Sequence, residues 1–320
     1  MRYDAAPLQG VTTYVYRSVH HRLFGGADRY FTPFYSPTRE HLFTPREYRE
    51  LCPEHNAGVP VVPQILTHSA EDFLWAAGAL RGMGYPEVNL NLGCPFGTVT
   101  AKGKGCGFLA RPAELDAFFD TVFSRLPDGV RVSVKTRLGL REEAEFGPLL
   151  EIYNRYPIAE LILHPRLQRD LYKHPVRIGA FAAALERCAL PVCYNGDLVT
   201  PGDCAAFSAR FPRVDAVMAG RGLAADPALF RKLRGGPGAA AEELRELTQT
   251  LYQTYCRDFN SRANAAQRMK ETWFYLIHLF ADDGRWADRL RRAASPPEYE
   301  RLEAAVYRDL PLLEEARGDF

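Results

Sequence analysis

Asn91 and Cys94 stand three positions apart in Val88-Asn89-Leu90-Asn91-Leu92-Gly93-Cys94-Pro95, an amide and a thiol closing a run in which apolar and polar residues alternate. Alternation of period two sends successive side chains to opposite faces of a strand, so the run reads as a buried strand that delivers both groups to one open end. A thiol there is available for reaction, and an amide beside it can hold a polar substrate edge. The plain alternative is a buried structural cysteine, because free cysteine is among the most buried residue types. Directly after come Gly97, Gly103, Gly105 and Gly107 with Lys102 and Lys104, a basic glycine-rich loop whose backbone is expected to approach a ligand closely.

The elements that must position these groups are legible along the chain. Short β-like runs at 3–6, 29–34, 59–66, 87–92, 131–136, 160–164, 191–195 and 214–219 alternate with amphipathic stretches at 70–83, 112–126, 142–156, 176–188 and 201–211. Eight such units predict an α/β fold of the (β/α)8 TIM-barrel type. A doubly wound sheet would want G-x-G-x-x-G after its first strand, where this chain has Ala6-Pro7-Leu8-Gln9-Gly10. The run Arg234-Gly235-Gly236-Pro237-Gly238-Ala239 breaks the composition, and only helical patterns follow it. The chain is therefore expected to divide into a catalytic barrel, residues 1–234, and a C-terminal all-α helical bundle, residues 240–320.

Catalytic side chains of such barrels gather where strands end at the C-terminal face. The expected ends carry Gln64; Asn91 and Cys94; Lys135 and Arg137; His164 and Arg166; Asn195, Gly196 and Asp197; and Gly220, Arg221 and Gly222. Taken singly, each has an ordinary explanation as a solvated strand end, a satisfied core histidine or a plain turn. Six polar ends on one mouth make a site. The last two read as a phosphate cradle, with backbone N–H groups of Gly196, Gly220 and Arg221 as donors and Arg221 as a cation. Lys135 and Gln64 would face the attached ring, where a lysine stabilises the anion of a reduced flavin and an amide bonds its polar edge. This pattern suits FMN better than NAD, which asks for a pyrophosphate site.

Composition narrows the class further. Forty basic and 39 acidic side chains give a formal charge of +1, so a polyanionic partner must be met by a local patch. Seven cysteines form no C-x-x-C pair, which fits a reducing compartment. With no apolar leader and no apolar run of spanning length, a cytoplasmic protein without membrane contact is expected. No metal is expected, and a monomer is, because no long exposed apolar face shows in the helical patterns.

Together these landmarks resemble the tRNA-dihydrouridine synthases over nearly the whole chain. The resemblance rests on Ala6-Pro7-Leu8-Gln9-Gly10-Val11-Thr12, Pro63-Gln64, Leu90-Asn91-Leu92-Gly93-Cys94-Pro95, Lys135-Thr136-Arg137, His164-Pro165-Arg166, Asn195-Gly196-Asp197 and Gly220-Arg221-Gly222, in that order. It implies FMN contacts from Pro7, Leu8 and Gln9 through their backbone, and from Gln64, Lys135, His164, Asn195, Gly196, Asp197, Gly220 and Arg221. It implies NADPH or NADH as reductant and tRNA as substrate. Cys94 falls on the catalytic position, Asn91 and Tyr172 on the uracil contacts, and Arg137 and Arg166 on contacts to the flipped nucleotide or its phosphates. Arg268 and Lys270, within Arg268-Met269-Lys270-Glu271-Thr272-Trp273, resemble a basic helix laid against tRNA, with Lys102 and Lys104 as a second clamp. Departures stand at Leu8-Gln9, Thr13, Asn89 and Pro165, where the family more often has methionine and a small or acidic residue, an aspartate, an acid and a glycine. They leave the subfamily and the D-loop position open.

The implied chemistry asks for this equipment. Hydride delivery to uracil C6 builds negative charge toward the C4 carbonyl, and C5 must then take a proton. A thiol with an ordinary pKa of ~8.5 stays protonated at neutral pH yet yields its proton readily, so Cys94 is expected to act as general acid. Asn91, Lys135 and Arg137 would hold the uracil edge or stabilise the charge. A stacked base is out of reach, so the nucleotide must be extruded. Cys106, in the glycine loop, competes with Cys94, which is preferred for its more rigid element. Two other classes compete as well: an FMN barrel acting on a free pyrimidine, like a dihydroorotate dehydrogenase, and a non-catalytic tRNA-binding protein. The first has no need of the helical appendage, and the second none of the cofactor set.

Overall fold

The computed structural model describes residues 1–318, so residues 319 and 320 of the expected helical bundle lie outside the described part. Its parallel strands are β1 (Arg2–Ala5), β2 (Arg29–Phe31), β3 (Val61–Val62), β4 (Gln64–Ile65), β5 (Glu87–Leu92), β6 (Arg131–Gly139), β7 (Glu160–Leu167), β8 (Val192–Asn195) and β9 (Ala216–Ala219). They lie side by side in the order β3-β2-β1-β9-β8-β7-β6-β5-β4. The strand expected at 59–66 is two short ones, because Pro63 has no N–H to give to a ladder. β3 pairs with β2 and β4 with β5, so the interrupted strand closes the ring.

The helices Tyr14–Leu23, Pro45–Leu51, Ala70–Gly82, Pro112–Arg125, Phe146–Tyr153, Ile178–Arg187 and Pro201–Arg210 connect the strands. Thr13, Thr44, Ser69 and Thr200 start four of them by accepting a first-turn N–H. Every residue of β5 is buried, including Glu87, Asn89 and Asn91, so its polar side chains must find partners inside the barrel. Glu87 finds one at the N-terminal end, where Arg29 donates to Asp4, Glu87 and Glu160 and plugs the barrel. The two asparagines face the other end.

β6 and β7 run past the expected 136 and 164, with a register shift between Arg137 and Gly139 that marks a bulge. Arg137 and Arg166 are consequently buried strand residues rather than solvated strand ends.

Beyond the glycine-rich link lie the helices Ala241–Phe259, Arg262–Leu276, Arg285–Arg292 and Pro296–Asp309. Their apolar core, built on Leu247, Leu251, Met269, Trp273, Tyr299 and Val306, is continuous with Val15, Tyr16 and Val19 of the first barrel helix. The loop after β1 passes beneath Arg262–Leu276 at Gly10, where φ is +86° and any Cβ would overlap Glu271. No helix among the described residues is long and apolar enough to cross a membrane.

Candidate active site

A cavity of about 520 Å³ opens at the C-terminal ends of the strands. Its walls include Pro7, Leu8, Gln9, Gln64, Asn91, Cys94, Lys135, His164, Tyr172 and Arg221. Its size suits a small-molecule site of roughly 300–1,000 Å³. An adjoining recess shares Lys135, His164, Tyr172 and Arg221 and adds Arg166, Asn195, Gly196, Asp197, Gly220 and Gly222. Sequence positions from every strand end thus meet at one mouth.

The amides are spoken for on one side. Gln64, fully buried, donates from Nε2 to Asn89 Oδ1 at 2.8 Å and accepts Asn91 Nδ2 at 2.7 Å; Asn89 Nδ2 donates to Ser133 Oγ at 3.0 Å. Asn91 Oδ1 accepts the backbone N–H groups of Gly93 and Cys94 at 3.0 and 2.9 Å. The carbonyl of Asn91 therefore shapes the turn that carries the thiol, and what Asn91 has left for a ligand is one N–H. Leu8 is similarly committed: its N–H goes to Thr12 Oγ1 and its carbonyl accepts Val11 and Thr12, so it offers the cavity its side chain.

Burial raises the Cys94 thiol pKa, opposed by a backbone hydrogen bond at Phe96 and by the Arg137 and Lys135 cations. The thiol is a proton carrier at neutral pH. Cys106, by contrast, is wholly inaccessible, part of the barrel core, and burial pushes its thiol up to about 12. It sits in the 3₁₀ turn Gly105–Ala110, and its N–H donates to the Cys94 carbonyl at 3.0 Å. Gly105 and Gly107 serve packing rather than ligand approach, since a Cβ would lie 2.8 Å from that same carbonyl at Gly105 and 2.5 Å from the Thr100 carbonyl at Gly107.

Cations crowd the opposite wall. Lys135 has no hydrogen bond or ion pair among the described residues, and burial, then Arg137, pushes its pKa down to about 8. Arg137 lies behind the wall, giving Nη1 to the Leu167 and Leu171 carbonyls at 2.9 Å while Nε and Nη2 meet no partner. Arg166 donates to both Asp197 oxygens at 2.9 and 2.6 Å and to His164 Nε2 at 3.0 Å. His164 consequently carries its proton on Nδ1, and burial with four surrounding cations holds the ring neutral. Arg221 reaches Asp197 as well, at 2.8 Å. Over these groups lies Tyr172, its ring 4.9 Å from the Arg221 guanidinium, 5.1 Å from that of Arg137 and 6.0 Å from that of Arg166.

In the recess, a Cβ at Gly222 would overlap the Leu198 carbonyl and lie 2.7 Å from Val199 Cα, so only glycine lets the loops after β8 and β9 touch. Backbone N–H groups and a guanidinium around such a floor suit a phosphate ester.

The expected RNA clamps are not part of the mouth. Lys102 is exposed, but Lys104 turns to Ser36 Oγ at 2.6 Å. Arg268 pairs with Glu271 at 3.0 Å and donates to the Gly10 carbonyl at 3.3 Å, and Lys270 donates to the Ala293 carbonyl at 2.7 Å. The mouth has instead aromatic walls that sequence reasoning missed. Phe34, Phe96, Phe274 and Tyr275 line it, the last two from the helical unit. Phe96, Phe274 and Tyr172 are 57%, 55% and 42% exposed, an unusual concentration of bare aromatic surface. The available signal was the pair Phe274-Tyr275 directly after the basic run.

A family model described as dihydrouridine synthase (Dus) matches residues 4–304. The tRNA-dihydrouridine(16) synthase of Ralstonia nicotianae is 30% identical over 239 residues, covering 72% of each chain. That of Cupriavidus necator is 28% identical over 305 residues, 89% of this chain and 93% of the relative; that of Aquipseudomonas alcaligenes is 28% identical over 272 residues, 82% and 84%. Among solved structures, morphinone reductase superposes with a TM-score of 0.54 at 14% identity, covering 75% of this chain and 87% of that one. At that identity the likeness speaks for the barrel fold alone.

Proposed function

The chain belongs to the dihydrouridine synthase family, and on that premise we propose that it reduces uridine 16 of tRNA to 5,6-dihydrouridine. The reaction is an FMN-dependent one with NADPH or NADH as reductant.

The residues present fit that cofactor. A recess floored by an obligatory glycine at 222, Arg221 at its edge and the uncommitted Lys135 in its wall are the features an aromatic phosphate ester requires. Backbone N–H groups at Gly196, Asp197 and Gly220 and the Arg221 cation would hold the phosphate, with the Asp197 carboxylate bracing Arg221 and Asn195 bracing the neighbouring strand through the Met218 carbonyl. Pro7, Leu8, Gln9, Gln64, Lys135 and His164 would hold the ring. Bound there, FMN supplies the hydride for uracil C6.

The chain's own groups do the rest. Cys94 keeps its proton on Sγ because burial disfavours the thiolate, and it donates that proton to C5. Asn91 aims the thiol through the backbone and turns its remaining N–H to the uracil. Lys135 from the cavity wall, and the buried Arg137 from behind it, place positive charge on the side where the C4 carbonyl gains negative charge. Tyr172 offers a face for the extruded base. We assign this chemistry to residues 1–234 and RNA contact to the helices beyond 240, in the cytoplasm, where seven free thiols would persist.

The observation that carries the reading over a free-pyrimidine reductase is that one cavity has walls from both units, Cys94, Lys135 and His164 from the barrel and Phe274 and Tyr275 from the helices. A free base needs no such second wall. Mass-spectrometric mapping of tRNA from a strain lacking this gene tests it. Loss of dihydrouridine at position 16 alone, restored by the purified enzyme, is expected; loss elsewhere overturns the position, and survival at every position without a redundant enzyme overturns the activity.

A further inference from the structure

The helical unit holds a charged feature that the mouth does not use. A cleft of about 530 Å³ opens between Arg285–Arg292 and Pro296–Asp309, with Arg285, Arg289, Arg292 and Arg301 around a floor of Leu302 and Ala305. The helix Arg285–Arg292 has four arginines and one aspartate in eight residues, whereas the whole chain carries a formal charge of +1.

The carboxylates at this cleft are already engaged. Asp288 is shared by Arg291 and Arg292 at 2.5 and 2.9 Å, and Glu298 accepts the Ala294 N–H at 2.8 Å. Arg289 lies 4.4 Å above the Trp286 ring, and Arg301 donates to the Pro297 carbonyl at 3.3 Å. Neither has a carboxylate within ion-pair distance among the described residues; Asp309 is paired with Arg308 at 2.7 Å, and that bond first, then Arg289 from further away, help to hold its carboxyl pKa down. A guanidinium stacked by its face keeps its N–H edge for a partner, and that planar fork matches the two oxygens of a phosphate.

The cleft is tied to the mouth by one helix. Lys270 bonds the carbonyl of Ala293, the residue that caps the arginine helix, and Phe274, one turn on and on the same face, lines the cavity. We propose that this cleft takes the phosphate backbone of the tRNA whose uridine enters the cavity. Arg289 and Arg301, rather than Arg268 and Lys270, then supply the main electrostatic hold of the helical unit. The inference rests on the tRNA reading above and locates the surface which that reading leaves unassigned.

The test is an Arg289→Glu/Arg301→Glu double variant of the full-length, flavin-loaded enzyme, beside a control of equal charge change on the barrel's outer wall, Arg187→Glu/Arg213→Glu. Binding of tRNA is followed against KCl concentration. The cleft variant should lose about tenfold or more in affinity, and its slope of log K on log salt should fall by about 2, one unit for each phosphate contact removed. The control should keep the wild-type slope, flavin reduction by NADPH should be unchanged in both, and Arg289→Lys/Arg301→Lys should restore the slope, which follows charge, but only part of the affinity, because lysine lacks the planar fork. A cleft variant with the control's affinity and slope overturns the proposal. So does an unchanged tRNA affinity accompanied by loss of polyglutamate binding, which would assign the cleft to an acidic protein. Should folding suffer, Arg289→Ala/Arg301→Ala with normal FMN content gives the same reading at half the charge change. If the wild type binds tRNA but forms no dihydrouridine, it is the activity that fails and not the cleft.

Discussion

Asn91 Oδ1 accepts the backbone N–H of Cys94 at 2.9 Å, so the side chain three residues before the thiol sets the turn that presents it. The same amide joins a chain of donors through Gln64 and Asn89 to Ser133, spanning β4, β5 and β6. A buried polar network satisfied in this way locks side-chain orientation, and losing one member leaves the others unpaired in a low-dielectric interior.

Asn91→Leu strands the N–H groups of Gly93 and Cys94 and the Gln64 carbonyl. At about 1–3 kcal/mol for each buried group left unpaired, some of it recovered by water, a net loss of about 2–4 kcal/mol is expected in urea unfolding. A loss below about 0.5 kcal/mol would show that the network does not hold the turn.

Cys94→Ala should bind FMN and accept electrons from NADPH normally while forming dihydrouridine about 10²–10⁴-fold more slowly, the usual worth of a positioned general acid. Cys106→Ala should remain active and lose about 1–2 kcal/mol of stability from the small cavity it leaves in the core. The reverse pattern, read by mass spectrometry of the tRNA product, would move the proton donor to Cys106.

Thiol reactivity should follow the raised pKa of Cys94. An acid with an elevated pKa is neutral below it, so iodoacetamide should alkylate Cys94 slowly at neutral pH and faster only above the ordinary thiol range, with Cys106 unreactive in the folded protein. Rapid alkylation of Cys94 at pH 7 would mean a thiolate and a different role.

Burial, and then the Arg137 cation, push the Lys135 pKa down to about 8, so the side chain is a cation below that pH and neutral above it. FMN affinity should therefore weaken as pH rises through about 8, and Lys135→Met should bind weakly with that step absent. A wild-type affinity flat across this range would remove Lys135 from the cofactor's charge balance.

Gly222→Ala brings a Cβ against the Leu198 carbonyl and Val199 Cα. The purified protein should be nearly colourless and melt lower than wild type, whereas full FMN content would show that the loops after β8 and β9 can part at little cost.

Much of this was legible in the residues themselves. Period-two runs bounded by Gly, Pro and capping Ser or Thr located the strands and helices, because local hydrogen bonding and burial periodicity are properties of neighbouring residues. Parallel barrel topology then put Gln64, Cys94, Lys135, His164, Asn195 and Arg221 at one mouth, since strand ends on one face converge whatever lies between them.

What only the tertiary structure decided is where long or ambivalent side chains point. Lys104, Arg268 and Lys270 look like clamps in the sequence, yet each is claimed by an acceptor remote from it in the chain or packed beside it in the fold: Ser36, Gly10 with Glu271, and Ala293. Cys94 and Cys106 have the same chemistry, and they are separated only by which of them faces the cavity. Phe96 and Phe274 are remote in the chain and become two walls of one site only because the C-terminal helices pack against the barrel. Residue type and spacing determine which groups a chain can bring to a site. Their direction and desolvation depend on non-local packing, and these decide which group can give up a proton and which is fully buried in the core.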